Sequence, residues 1–478
     1  MKIRKINSFS HLLLAFFFTL TGCVNYAGLH SNETAYDVKS LSKSQNYSLP
    51  NKKPTSTPQI NASNWWLRFK DTELNQLMDV ALNDSPTLNT AKDRIESSQA
   101  LTEVAKSTLL PTLSFDPYIN RERYTGTSYF PPPFGGAYVY QGDVPLNFAY
   151  DFDFWGKHRQ QVAAAKSRSQ AAAAELATAR LVLSAQLTTT YYELRSHLSQ
   201  MNLAQALVQK EQKEYTIVNA RMAHGVESAI PLTEASAALQ VAQITLENQR
   251  QLVELSRHQL AVLMGKNPLN TNIDVQPFQF SPQLIALPKN VPAHLIAKRP
   301  DIMASQWQVE ASAHEIHVAK ARFFPDINLT AFYSYQSIGL NNLFNENSRD
   351  ILVQPALDLP LFDGGLRRAD VSQKYAKYDE NVSQYNQTIL VALQQVGDAI
   401  TRVQTTQRQL DAQNKIVRAT DFNAKLVKAR YQHGIVDYSE VLSTQTILLN
   451  QQLYQVQLQT AQMQNAIAMI QALGGESI

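Results

Sequence analysis

The side chains with the most chemical potential are few and widely spaced. Glu310, His314 and His317 would share one face of a helix, and two imidazoles beside carboxylates are the raw material of a metal site. The run His314-Glu315-Ile316-His317 lacks the four-residue separation that holds zinc beside a catalytic carboxylate, so it reads as a polar helix surface. Asp151 and Asp153 fall on one face of an alternating stretch, where carboxylates would line a wet surface. The chain contains no glycine-rich phosphate cradle and no nucleophile with a base at usable spacing. The expectation is therefore no enzyme, no cofactor and no metal; any energy for work comes from partners.

One residue does carry an expected modification. Lys2, Arg4 and Lys5 precede an apolar run from Leu12 to Leu20, which reads as a secretory signal over residues 1–22 and is too short for a membrane span. Next comes Leu20-Thr21-Gly22-Cys23, which holds the only cysteine in the chain and resembles the bacterial lipobox. That resemblance implies a lipid on Cys23, cleavage before it and acylation of the new amino group. The alternative is a cysteine that merely follows a signal peptide. Val24 stands where an Asp would retain a sorted lipoprotein at the inner membrane, which favours the outer membrane.

Bulk composition narrows the class. With 478 residues and 44% apolar content the chain can build a sizeable core, which excludes wholesale disorder. A mean hydropathy of −0.27 excludes a bundle of membrane helices. The net charge is +3, and losing three cations with the signal leaves the remainder near zero, which argues against nucleic acid. With one cysteine, no disulfide forms within the chain.

The strongest organisational signal is a duplication. Pro86 and Pro300 each open a helical stretch and stand 214 residues apart, as do Pro111 and Pro325 at its end. Phe154-Trp155-Gly156-Lys157 answers Phe362-Asp363-Gly364-Gly365, and Ala220-Arg221-Met222-Ala223-His224-Gly225 answers Ala429-Arg430-Tyr431-Gln432-His433-Gly434 at an offset of 209. The shortened offset places a longer loop in the first copy, around Pro131-Pro132-Pro133. The expected organisation is a signal (1–22), an N-terminal segment (23–65), a first repeat (66–270), a joining segment (271–289), a second repeat (290–474) and a tail (475–478). Each repeat is expected to run helix, β-hairpin, long helix, helix, with hairpins at about 112–153 and 326–362.

Apolar residues keep a seven-residue beat over great lengths, which signals coiled-coil packing. The longest run is Tyr375, Val382, Ile389, Val396, Val403, Leu410, Val417, Ala424 and Tyr431. Leu187, Leu194, Met201, Val208, Tyr215 and Met222 each lie 209 residues before a member of it. The proline-free stretch from Gly365 to His433 would form a helix of about 100 Å. Heptads alone leave a dimeric rod open as an alternative.

Between the helices the period falls to two. Ile327, Leu329, Ala331, Tyr333 and Tyr335 alternate with mostly polar residues, and a return strand is expected from Ile351 to Leu361. Leu146, Phe148, Tyr150 and Phe152 repeat the pattern in the first copy, with a partner strand from about Thr112 to Asn120. Apolar residues on one face and Asn, Asp, Gln and Thr on the other suit a membrane barrel with a wet interior. Four strands cannot close one, because edge N–H and C=O groups in hydrocarbon cost several kcal/mol each. Two protomers would give eight strands and three would give twelve; a solute-wide lumen needs the larger ring.

At this point the chain resembles the TolC-type outer-membrane factors, in particular the lipoprotein branch that serves RND-type efflux pumps. The resemblance spans nearly all the mature chain. It rests on Trp65-Trp66-Leu67-Arg68-Phe69-Lys70-Asp71, Leu260-Ala261-Val262-Leu263-Met264-Gly265, Lys298-Arg299-Pro300-Asp301-Ile302, Ala321-Arg322-Phe323-Phe324-Pro325, Pro360-Leu361-Phe362-Asp363-Gly364-Gly365 and Ala472-Leu473-Gly474-Gly475. It implies a mainly α fold with β, in which four strands per protomer join a trimeric twelve-stranded outer-membrane barrel above a long periplasmic coiled-coil tunnel. The implied function is the passive exit duct of a tripartite pump for drugs or other small toxic compounds. The implied partners are a homotrimer, a periplasmic adaptor, an inner-membrane RND-type transporter and outer-membrane lipid. Alternatives are a duct for type I protein secretion and a non-channel coiled-coil lipoprotein.

Two corners are the expected periplasmic tips, with Arg221, His224, Gly225 and Glu227 at one and Arg430, His433 and Gly434 at the other, as adaptor-docking residues. The histidines could equally cap the preceding helices. Family members carry a leucine, an aspartate and an arginine along the helix after the second corner, where they constrict the pore. The matching positions here are Ser439, Ser443 and Thr446, with Asp437 and Glu440 nearby, so the expected gate is held by small polar contacts instead of a charged ring.

Overall fold

A computed structural model describes residues 26–36, 64–127, 131–278 and 296–475; Cys23 and the signal lie outside the described residues. In chain order the elements are a 3-10 turn Trp65–Phe69, α1 Thr72–Asp84, α2 Pro86–Ser107, β1 Thr112–Phe115, β2 Tyr118–Arg123, β3 Tyr138–Asp143, β4 Leu146–Phe152, α3 Lys157–Ala223 and α4 Ala229–Leu263. The second copy supplies α5 Pro300–Ala321, β5 Asp326–Ile338, β6 Arg349–Asp358, α6 Leu366–Gln432 and α7 Tyr438–Ala472. Pro86 and Pro300 open their helices as anticipated, since proline's missing N–H is unneeded in a first turn.

Two compact units emerge, and each draws on both sequence copies. One comprises residues 1–35, 94–172 and 304–386; the other 36–93, 173–303 and 387–478. The residues of α3 and α6 divide between them.

The first unit contains the sheet. β1 and β2 form one strand interrupted at Asp116-Pro117, and β3 and β4 form another interrupted at Val144-Pro145, so six segments make four antiparallel strands. β5 pairs with β4 along most of its length and with β3 at its end, and β6 closes the order on the far side of β5. The return strand stops at Asp358, short of the expected Leu361: Pro360 has no N–H to offer a ladder. Asp153 is likewise not a strand residue. Its carboxylate accepts the backbone N–H groups of His158 (3.0 Å) and Arg159 (2.9 Å) and caps α3. Asp363 plays the same part for α6, accepting from Gly365 and Arg367. Burial opposes the charge on Asp153, yet those N–H bonds hold its carboxyl below the ordinary value.

An N-terminal strap also belongs to this unit. Tyr26 and Leu29 pack on Phe323, Val371 and Tyr375, Arg368 donates to the Ala27 carbonyl, Ser31 donates to Asp379 (2.5 Å), and Asn386 donates to the Thr34 carbonyl.

The second unit holds the main core. Trp65, Trp66, Phe69, Leu74, Met78, Leu187, Tyr191, Leu194, Val253, Leu260, Met463 and Ile467 are all buried together. The Trp-Trp motif thus serves packing, and Asp71 that follows it caps α1 and pairs with Arg195 at 2.6 Å. Arg299 of the Lys-Arg-Pro-Asp motif is buried, donating to the Ala472 carbonyl and Gln395 and pairing with Asp301 at 2.7 Å. Gly265 sits at φ +71°, and a Cβ there would lie 2.4 Å from the Asp84 carbonyl, so that position needs glycine.

Candidate functional site

The sheet's register decides what its faces present. Along one face the cross-strand rows read Phe115, Leu146, Tyr333, Ile351; then Leu113, Phe148, Ala331, Val353; then Tyr150, Leu329, Pro355; then Phe152, Ile327, Leu357. The opposite face carries Thr112, Ala149, Thr330, Gln354 and Asp151, Asn328, Ala356, with Phe332 and Leu352 as apolar exceptions. A one-residue slip would scramble both faces, so the alternation is realised in three dimensions. Among the described residues Leu340 and Leu343 lie over this face at Gly142, but the rest of the band is open: Leu113 is 66% exposed, Ile351 64% and Val353 67%. A contiguous exposed apolar band of this kind marks an interaction surface. Proline at 355 is tolerated because β6 is an edge strand.

The two corners belong to the second unit and are built alike. Gly225 and Gly434 both adopt φ +68°, the left-handed turn that ends a helix. Val226 N–H donates back to the Arg221 carbonyl (2.9 Å) and Ile435 N–H to the Arg430 carbonyl (3.0 Å). The backbone thus closes each helix, and His224 and His433 remain exposed instead of capping. Arg221 approaches Glu227 at 3.2 Å and Asp437 of the other corner at 3.8 Å, while Arg430 faces Glu440 at 4.0 Å. Ser439 is half-buried, Ser443 is exposed, and Thr446 donates to Glu211 on α3 at 2.7 Å. Both expected carboxylates near the gate positions therefore sit beside arginines, and a third carboxylate, Glu211, is bound by the Thr446 hydroxyl.

A feature that sequence reading missed lies along α7. Between Leu442 and Leu458 this helix buries no side chain. Amides hold it against α6: Gln413 donates to Gln451 (3.0 Å for the side chain), Gln455 to Asn414 (2.7 Å) and Asn465 to Thr406 (3.0 Å), and Gln462 bonds Gln407. On the α3 side Thr460 donates to Ser196 (2.6 Å) and Gln464 to Glu193 (2.7 Å). Burial raises the Glu193 carboxyl above its usual range, with the Gln464 amide acting against that rise.

The histidines considered for a metal site are dispersed in role. His314 Nδ1 lies 2.6 Å from Gln160 and Nε2 3.9 Å from Glu310, while burial and the Lys320 ammonium keep His317 below its ordinary value.

Comparison with known proteins gives a consistent picture. A family model described as outer membrane efflux protein matches residues 77–266 and again 291–475. The chain is 27% identical over 419 residues to the multidrug resistance outer membrane protein MdtP of Escherichia coli K12, covering 86% of each. Among solved structures it is similar to the outer membrane protein VceC of Vibrio cholerae, with 32% identity, a TM-score of 0.77 and coverage of 86% of this chain and 98% of the other. The Campylobacter jejuni CmeC outer membrane channel shares the fold at a TM-score of 0.81 and 22% identity, with 94% of each chain covered.

Proposed function

Because the chain belongs to the outer membrane efflux protein family, we propose that three copies pool their four strands into one twelve-stranded barrel, with the apolar face to lipid and the polar face to a water-filled lumen. It is an outer-membrane efflux channel and not an enzyme. The observation that carries the barrel reading is the register, which gathers exposed Leu113, Phe115, Leu146, Ile351 and Val353 on a single face. Both sheet edges expose unpaired backbone groups, and only closure with further copies satisfies them in hydrocarbon. An eight-stranded ring would be filled by its own side chains, so three copies suit a duct.

Cys23 carries the lipid anchor in this reading, and the protein sits in the outer membrane and extends into the periplasm. A periplasmic adaptor docks at the corners, where Val226 and Ile435 present apolar surface beside Arg221, Glu227 and Arg430. An inner-membrane RND-type transporter supplies the energy. Ser439, Ser443 and Thr446 surround the narrow end, with Asp437 and Glu440 neutralised by Arg221 and Arg430.

Single-channel recording of the purified protein in planar bilayers tests this, together with its mass in detergent. Discrete ion currents from a trimer are expected; a monomer that passes no current even after its corners are cut away would end the proposal. Conductance is also expected to change smoothly between about pH 5 and 8, since hydroxyls do not titrate there. A large jump would assign the gate to a ring of carboxylates.

A further inference from the structure

The apolar face of the sheet does not end on an apolar residue. Beyond Leu113, Phe115 and Ile119 the same side of the first strand continues to Arg121 and Arg123, because the register holds unbroken from Thr112↔Ala149 through Arg123↔Tyr138. The directly opposed residues on β3 are Tyr140 and Tyr138. The Arg121 guanidinium lies 5.2 Å from the Tyr138 ring centre and 5.6 Å from that of Tyr140. Both arginines are exposed, and neither has a carboxylate within ion-pair distance among the described residues. Glu122, between them, points to the other face by strand alternation. The one other arginine on this face, Arg349, is already answered by Glu346 at 3.8 Å.

This face thus passes from an apolar band to a rim where guanidiniums without a carboxylate partner on one strand stand opposite tyrosines on the next. Tyrosine suits the boundary between hydrocarbon and headgroups, since its ring is apolar and its hydroxyl wet. Stacking on an aromatic ring fixes a guanidinium plane while leaving its N–H edge free, and that edge matches the oxygens of a phosphate two at a time. The barrel reading supplies the remaining element: β2 and β3 lead to the 124–137 loop and away from the helices, so the pair lies at the outer rim.

We propose that Arg121, set on Tyr138 and Tyr140, and Arg123 beside it form a binding site for the phosphate of a phosphorylated lipid headgroup on the lipid-facing rim of the barrel. The site rests on the barrel reading for its surroundings, and its chemistry is charge complementarity: two cations without internal partners beside a band that hydrocarbon covers. Bound lipid would fix the depth of the barrel in the outer leaflet.

Native mass spectrometry of the full detergent-solubilised oligomer tests the proposal, titrated with diphosphoryl lipid A, with its dephosphorylated counterpart and with inorganic phosphate. The wild-type protein is expected to retain the phosphorylated lipid about tenfold better than the dephosphorylated one, as charge-assisted bonds from two arginines allow. Arg121→Gln with Arg123→Gln should bring the two lipids to parity while single-channel conductance stays unchanged, since these side chains face away from the lumen. An undiminished preference in the double variant would overturn the site. Displacement of the lipid by inorganic phosphate at equal concentration would also overturn it, by making it a free-anion site. Should the double variant fail to assemble, Tyr138→Leu with Tyr140→Leu keeps both charges and is expected to lower the preference roughly threefold; no change there would equally refute it. Wild-type protein that selects the phosphorylated lipid yet carries no current would support the site and refute the barrel.

Discussion

The two shorter coiled-coil helices, α4 and α7, occupy equivalent places in the two copies, have equal length and share the main core at one end, yet differ in chemistry at four equivalent seam positions. At the offset of 209, Ala242, Leu246, Val253 and Ser256 of α4 correspond to Gln451, Gln455, Gln462 and Asn465 of α7. The first four are buried; the second four each bond an amide or hydroxyl of α6. The long-helix side is exchanged in part: Leu198 and Ala204 are buried in α3 where Gln407 and Gln413 stand in α6, while His197 and Gln205 are polar like their counterparts Thr406 and Asn414. The two copies therefore share the heptad frame while the second carries amides at seam positions that are apolar or small in the first. An apolar seam resists separation because parting it exposes hydrocarbon to water, at about 25 cal/mol per Å². An amide seam trades one set of hydrogen bonds for another with water, at a net cost of only about 1 kcal/mol per bond. At these positions the first copy's seam is therefore the costlier of the two to part.

The comparison breaks most sharply at Leu246. Installing the second copy's residue type, Leu246→Gln, buries an unpartnered amide and removes core volume, so a loss of about 3–5 kcal/mol is expected in denaturant titrations. The test at the equivalent position of the second copy, Gln455→Ala, should cost about 1 kcal/mol or less by the same method, because both Gln455 and its partner Asn414 are only half-buried and Asn414 can turn to water. Equal losses at the two sites would dissolve the distinction.

Glu193, at the α3–α7 seam, sharpens it with pH. Its folded carboxyl titrates above the unfolded value, so its contribution is fully favourable below the ordinary carboxylate range and declines as pH rises through the raised value. Melting temperatures of the wild type and Glu193→Gln should therefore converge in acid and separate toward neutrality, with the variant the more stable. The smallest effect is expected at Arg221→Gln, which removes exposed pairings to Glu227 and Asp437 and should change stability by less than about 0.5 kcal/mol. Its signature would instead be greater single-channel open time.

Much of the fold was legible because repeats and periods are properties of sequence. The stripe Val382, Ile389, Val396, Val403 and Leu410 is buried throughout, as a seven-residue beat demands. The four strands and their apolar face followed from a period of two. What escaped was decided by partners instead of by periods. Gln451 and Gln455 look the same whether they meet water or another amide, so the seam on α7 carries no pattern. Asp153 continues the alternation of β4 although its carboxylate belongs to the helix that follows. The first strand runs to Arg123, beyond the expected end near Asn120, because charged residues at a strand's tip imitate the loop after it. The corners were located from Gly225 and Gly434, but which arginine meets which acid required the fold.

The amide seam has a thermal consequence. Parting the middle turns of α7 from α6 uncovers only half-buried apolar side chains such as Leu449 and Val456, so the step carries a smaller change in heat capacity than splitting a fully buried apolar seam. An opening of this kind would follow a nearly straight van't Hoff line from a cold cell to a warm one, whereas any motion that split the first copy would be more strongly curved with temperature.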